Sequence, residues 1–214
     1  MRVLLAGGPT REYIDAVRFI TNRSSGKMAK ALIDALLKNK HKVTAVLGPC
    51  NIDCPENVKV IGVETSGEMK NSVMREVKHA DAVVMCAAVA DYTPVKISAG
   101  KIKKNGSFLA LKLKRTPDIL SELGRKYGKS KVIVGFAAET DKIEENALKK
   151  LKNKKCDMII ANKVGRKGPG FDSGMIDAVI LFKGGRKNQI GKISKNRLGY
   201  IIVKEIEKLN EAGK

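Results

Sequence analysis

The sequence predicts an α/β fold with a mostly parallel sheet and helices on both faces. Three observations predict it. Short apolar runs alternate with segments of helical period along most of the chain. The alternation continues past one supersecondary unit, as crossover connections require. The long irregular segments fall just after predicted strands, at the sheet edge where open α/β sheets bind ligands. The chain has 214 residues, enough for one full core and short for two, and shows no internal repeat or linker. One domain over 1–214 is expected.

The elements follow in order. Residues 1–6 form an apolar run closed by Gly7-Gly8-Pro9, a buried strand and a tight turn. Residues 24–38 carry Met28, Ala31, Leu32, Ala35 and Leu36 at helical spacing, with Ser24 or Ser25 as a cap. Residues 42–47 and 58–63 read as strands, 66–78 as a helix and 81–86 as a buried strand. A helix over 117–127 can start on Pro117. A strand at 131–136, a helix at 143–154 and a strand at 157–161 continue the pattern. Residues 177–183 and 189–193, joined through Gly184-Gly185-Arg186, predict a hairpin. A helix over 194–209 with a Ser194 cap closes the chain. The segments 87–106 and 164–173 stay as long, basic, glycine-containing connections, and such loops in compact domains are usually functional or disordered.

Lys+Arg is 42 against 22 Asp+Glu, a formal charge of +20. Such a balance suits a polyanionic partner, either a nucleic acid or a phosphorylated small molecule. Aromatics are only 4 % and Trp is absent, which supplies little for base stacking and favours the small phosphate ligand. No apolar run reaches the roughly 18 residues of a membrane span and none resembles a signal peptide, so a cytoplasmic protein is expected. Cys50 and Cys54 are spaced C-x3-C without a second pair, and His41 and His79 are the only histidines, a poor basis for a structural zinc site.

Four segments could bear chemistry. Thr21 to Lys27 precedes a helix, where backbone N–H groups and hydroxyls can cradle an anion. It is neither a Walker A loop nor a dinucleotide fingerprint. Ala87-Ala88-Val89-Ala90-Asp91 offers small residues for close ligand approach and a carboxylate for sugar or base donors. Lys101, Lys103 and Lys104 sit in a glycine-bounded loop able to close over phosphates. Lys150 and Lys154 share one helix face, and a bound phosphate would relieve their repulsion. No Ser-His-Asp or Cys-His constellation is apparent, so an enzyme here would work by binding and neutralising phosphates.

The motifs AGGPTREYID, VRFITNRSSGKM, AAVADY, KIKK, TPDIL, VGFAAET and LKKLKNKKCDMIIANKV stand in this order between residue 6 and about residue 173. In these the chain resembles phosphopantothenate–cysteine ligase, the phosphopantothenoylcysteine synthetase family of coenzyme A biosynthesis. The resemblance implies a Rossmann-like three-layer fold with a flap loop and a C-terminal β-hairpin plus helix. It implies a two-step ligation of 4′-phosphopantothenate to cysteine through an acyl-nucleotide. CTP is expected over ATP as the nucleotide, with Mg²⁺, in a homodimer with shared sites. Many members are fused behind a flavin-dependent decarboxylase. The chain is then either a stand-alone ligase or an excised half, with that decarboxylase acting in trans or lost by excision.

The resemblance also assigns roles. It gives Asn22 the acyl-nucleotide intermediate, Lys101 the chemistry from the flap, and Arg18 the phosphopantothenate of the neighbouring subunit. Ala87, Ala88 and Asp91 lie around pantothenate and nucleotide, with Met85 and Cys86 on the nucleotide side. Pro117, Asp118, Ile119, Leu120 and Phe136 surround base and ribose, and Lys150 and Lys154 meet the triphosphate. Metal ligands are not assigned. Ala29, Lys163 and the segment Met175-Ile176-Asp177 depart from the family pattern. Two other classes compete. A non-catalytic nucleotide- or nucleic-acid-binding module is favoured by charge and disfavoured by scarce aromatics. A short-chain dehydrogenase-like enzyme is disfavoured by the missing glycine fingerprint and by the loop and helix-end settings of Tyr92 and Tyr127.

Overall fold

The computed structural model of the chain describes residues 1–164 and 174–213. The 165–173 part of the second long connection lies outside the described residues. In chain order the elements are β1 (Arg2–Gly7), β2 (Arg11–Tyr13), β3 (Phe19–Thr21), α1 (Lys27–Lys38), β4 (Lys42–Leu47) and β5 (Lys59–Gly62). Then come α2 (Ser66–Glu76), which ends in a 3₁₀ turn at Val77–His79, β6 (Ala82–Met85), β7 (Tyr92–Pro94) and β8 (Leu113–Arg115). They are followed by α3 (Ile119–Tyr127), β9 (Val132–Glu139), α4 (Ile143–Lys154), β10 (Met158–Lys163), β11 (Met175–Phe182), β12 (Lys187–Ser194) and α5 (Lys195–Glu211).

Eight strands form one sheet in the order β12-β11-β10-β9-β6-β1-β4-β5. From β5 to β10 every pair is parallel, and β10–β11 and β11–β12 are antiparallel. The predicted C-terminal hairpin therefore extends the main sheet. The strand alternation explains the three layers. Val3 and Leu5 of β1 face a core built with Leu32 and Leu36 of α1 and Leu198 and Ile202 of α5. Leu4 and Ala6 face the opposite core, with Met69 and Val73 of α2, Leu123 of α3 and Leu151 of α4. Because β1 leads through α1 to β4 on one side while α2 leads to β6 on the other, the strand order reverses between β1 and β6. A crevice opens there at the carboxyl ends.

Three local readings are corrected. Helix α1 is capped by neither Ser24 nor Ser25: its N-cap is Gly26, at φ 75°, with no side-chain cap. A Cβ there would fall 2.8 Å from the Cys50 sulfur, so glycine is required by both space and backbone. Pro117 is not the first residue of α3: the Asp118 carboxylate caps that helix by accepting from the Ser121 N–H at 3.0 Å. The segment 87–106 is not wholly irregular, since β7 and β8 pair antiparallel and carry the flap 95–112 between them. The hairpin β2–β3 was also unanticipated; its three-residue strands are too short for periodicity to show. The Ser194 cap is present, accepting from the Arg197 N–H at 3.3 Å.

Candidate functional site

A cleft of about 800 Å³ occupies the crevice at the strand carboxyl ends. Its floor is the end of β6 and the segment after it. The backbone of that segment is tied to β1 through Cys86 N–H to Ala6 O at 3.0 Å and Ala88 N–H to Gly8 O at 2.9 Å. Thr10, fully buried, donates no backbone slack: its Oγ1 accepts from the Ala90 N–H at 3.0 Å. The Ala87–Asp91 run thus lies pinned beneath the opening, which Ala87, Ala88, Val89 and Asp91 line.

One wall is the start of α1. Asn22 to Ala29 line the cleft, and the helix presents its first N–H groups there without a capping side chain. That end of a helix favours anions. The Asn22 amide nitrogen donates to the carbonyls of Val89 at 3.0 Å and Ala88 at 3.4 Å. A smaller hollow of about 270 Å³ adjoins on the far side of Asn22, Arg23 and Ser24.

The other wall comes from α3, β9 and α4. Pro117, Asp118, Ile119, Leu120 and Phe136 line it together with Lys150 and Lys154. The half-buried Lys150 ammonium donates to the Phe136 carbonyl at 2.8 Å. Burial lowers its pKa below the ordinary value; Glu139 and Asp91 pull it back up, and Lys154 pushes it further down. Lys154 pairs with Asp118. The two lysines do share a face, and in this state each is met by a carbonyl or a carboxylate. The half-buried Cys86 thiol donates to Ala6 O at 3.2 Å, and burial pushes its pKa up to about 12, so it packs as a neutral thiol.

Of the residues singled out from the sequence, Asn22, Met85, Cys86, Ala87, Ala88, Asp91, Pro117 to Leu120, Phe136, Lys150 and Lys154 meet in this one cleft. Arg18 and Lys101 do not line it. Arg18 sits at the β2–β3 turn on the buried Asp15, and Lys101 is exposed on the flap. Sequence reasoning missed Arg115, Thr116 and Lys195 as lining residues. Asn162 and Lys163, at the carboxyl end of β10, could have been found from the strand-end rule alone.

The DNA/pantothenate metabolism flavoprotein C-terminal domain family matches residues 1–209. The chain belongs to this family. Its sequence is 41 % identical over 210 residues to the coenzyme A biosynthesis bifunctional protein CoaBC of Bacillus subtilis, covering 98 % of this chain and 52 % of that protein. The CoaBC of Escherichia coli is 36 % identical over 209 residues, 96 % of this chain and 51 % of that one. The chain therefore spans about half the length of the curated relatives it matches. A crystal structure of the C-terminal domain of CoaBC superposes with a TM-score of 0.84 at 34 % identity, covering 99 % of this chain and 96 % of that one. A DNA/pantothenate metabolism flavoprotein from Streptococcus pneumoniae shares the fold, with a TM-score of 0.84 at 22 % identity over 98 % and 99 % of the two chains. The Rossmann-like architecture is thus that of the family's C-terminal domain. Among the described residues no helix is long and apolar enough to cross a membrane.

Proposed function

We propose that this family member is a phosphopantothenate–cysteine ligase that consumes CTP. A 4′-phosphopantothenate carboxylate oxygen attacks the α-phosphorus of CTP, forming an acyl phosphate bond as the bond to pyrophosphate breaks. The cysteine amine then attacks the acyl carbon, and CMP leaves with the electron pair of the acyl–oxygen bond. The observation that carries this reading is the meeting, in one cleft, of a helix start suited to an anion, two lysines on the facing wall and the pinned Ala87–Asp91 floor. Both steps place negative charge on a departing phosphate oxygen, of pyrophosphate and then of CMP, which positioned cations and N–H groups stabilise without a protein nucleophile.

Mg²⁺ would accompany the triphosphate and neutralise part of its charge, and Asp91, which lines the cleft, would be the carboxylate to hold it together with the substrate phosphates. A homodimer completes the site: Arg18, which does not line the cleft of its own chain, serves the neighbouring subunit's phosphopantothenate. The CoaBC relatives are bifunctional by name, and in this reading the second activity is a decarboxylase that acts in trans or is lost by excision.

The test is pyrophosphate release from CTP with 4′-phosphopantothenate before cysteine is added, with ATP as competitor. Release that needs phosphopantothenate, followed by a cysteine-dependent product, is the expected result. Tight nucleotide binding without release would instead identify a non-catalytic nucleotide module.

A further inference from the structure

Among the described residues, the flap is held to the body of the protein by one side-chain clamp. Asp15 is 1 % exposed, in the turn between β2 and β3. Its Oδ1 accepts from the Val17 and Arg18 N–H groups, each at 2.8 Å. Its Oδ2 accepts from Arg18 Nε at 3.0 Å, from the Arg18 Nη2, and from the backbone N–H of Ile102 at 3.1 Å. Arg18 Nη2 also donates to the Ile102 carbonyl at 3.1 Å. Ile102 therefore has both backbone groups held, its N–H by Asp15 and its C=O by Arg18. It is also the one half-buried residue in the otherwise exposed run 99–115. A second tether, Ser98 N–H to Ile14 O at 3.0 Å, is backbone only.

We propose that Asp15 is a positioning residue for Lys101: it clamps the flap at Ile102 and so sets where the Lys101 side chain starts. The amide that Asp15 holds belongs to the peptide joining Lys101 to Ile102. A planar peptide with a fixed N–H fixes the Cα before it. The local turn needs only Val17 and Arg18, so the Ile102 donor, 87 residues away, is what makes Asp15 more than a turn former. The position calls for a carboxylate because every partner is an N–H donor; an amide would aim its own N–H₂ into them. Burying the charge is tolerated because Arg18 lies on it, and the same contact holds the Asp15 pKa well below the usual carboxylate range. The chemical role of Lys101 rests on the ligase reading, and the clamp itself does not.

Four variants test it: Asp15→Asn, Ile102→Pro, Lys101→Gln and the Asp15→Asn/Lys101→Gln double. Ile102→Pro removes the flap donor while leaving the Asp15–Arg18 pair, so it carries the test if Asp15→Asn fails to fold. The first readout is limited trypsin cleavage after Lys103 and Lys104, scored at these sites because proline at 102 blocks cleavage after Lys101. We expect about tenfold faster cleavage in Asp15→Asn and Ile102→Pro, as local opening becomes easier. The second is single-turnover pyrophosphate release from CTP. Asp15→Asn should slow it by about 10- to 100-fold, the scale of a displaced catalytic group, with nucleotide KM moved less than about twofold. The double variant should be no slower than Lys101→Gln alone. Unchanged cleavage in both clamp variants, or losses that multiply in the double, would overturn the proposal. If the parent chain releases no pyrophosphate, the ligase reading and the positioning of Lys101 for it both fall, while cleavage still decides whether Asp15 holds the flap.

Discussion

The side-chain amide of Asn22 reaches the Val89 carbonyl at 3.0 Å, tying the start of the α1 wall to the floor of the cleft. The nitrogen of this amide is thus used within the protein, with Ala88 O as its second acceptor. Replacing Asn22 with Asp removes the donor and sets a carboxylate against two carbonyl oxygens. Asn22 is exposed, so the fold should lose about 1 kcal/mol or less. The larger effect is expected on chemistry: acyl-cytidylate still forms, and its transfer to cysteine slows. Trapping labelled intermediate from CTP and phosphopantothenate measures this. Steady-state turnover equal to that of the parent would remove Asn22 from the reaction.

Lys150 gives a pH prediction whose sign follows from its burial. Its folded pKa lies below the ordinary 10.5. The fold therefore disfavours the charged form, and that cost is present below the folded pKa and fades as pH rises through it toward 10.5. A triphosphate does the opposite and favours the charged form. Nucleotide binding should take up protons on the alkaline side of neutrality, and affinity should fall as pH climbs through the lowered value. Titration calorimetry in two buffers of different ionisation heat reads the uptake. Lys150→Arg stays charged and should flatten the alkaline limb; an unchanged limb would show that another group titrates.

Helix α3 approaches α4 so closely that a Cβ on Gly124 would fall 1.8 Å from the Lys154 carbonyl oxygen. Gly124→Ala should cost about 1–3 kcal/mol, the scale of overpacking in a fitted interior. The strain falls on the turn that presents Lys154 beside Asp118, so nucleotide KM should also rise. Thermal unfolding and a KM measurement check the two halves. A stable variant with unchanged KM would mean the helices part without moving Lys154.

The sequence made the central strands legible because they are continuous apolar runs, such as Val83 to Met85, bounded by turn residues. The main helices were legible through their apolar stripe. The starts of α1 and α3 were not, since Gly26 and Asp118 cap them through backbone φ and a local carboxylate contact, which periodicity does not encode. Many of the residues that meet in the cleft were named in advance, because they fall in short motifs the chain shares with the ligase family. The clamp was not: Asp15 and Ile102 lie far apart in sequence, and neither carries a pattern that points to the other. Lys195 had no signal either, as a lysine at a helix start is ordinary.

Arg18 can be tested across subunits. A mixture of chains carrying Arg18→Ala and chains carrying Asn22→Asp should regain part of the activity, because one site in a mixed dimer then has both residues intact. The measurement is turnover after subunit exchange, with sedimentation to establish the dimer. No recovery, together with faster trypsin cleavage of the Arg18→Ala flap, would confine Arg18 to holding Ile102 of its own chain.

The last prediction concerns the three flap lysines. Lys101, Lys103 and Lys104 are all exposed, and only Lys101 directly precedes the clamped amide of Ile102. The largest electrostatic demand of the proposed reaction arises as carboxylate oxygen attacks the α-phosphate and charge moves onto pyrophosphate. An ammonium held there favours the transition state over the ground state, so its loss should appear in kcat more than in KM. Lys101→Gln keeps the length and removes the charge. It should slow acyl-nucleotide formation by at least about 100-fold, the low end for losing one such contact. Lys103→Gln and Lys104→Gln should cost far less, as solvated neighbours screened by salt. Single-turnover pyrophosphate release at saturating CTP distinguishes the three. Equal losses for all three, or an effect of Lys101→Gln on nucleotide affinity alone, would make the flap a general basic cover with no lysine assigned to the chemistry.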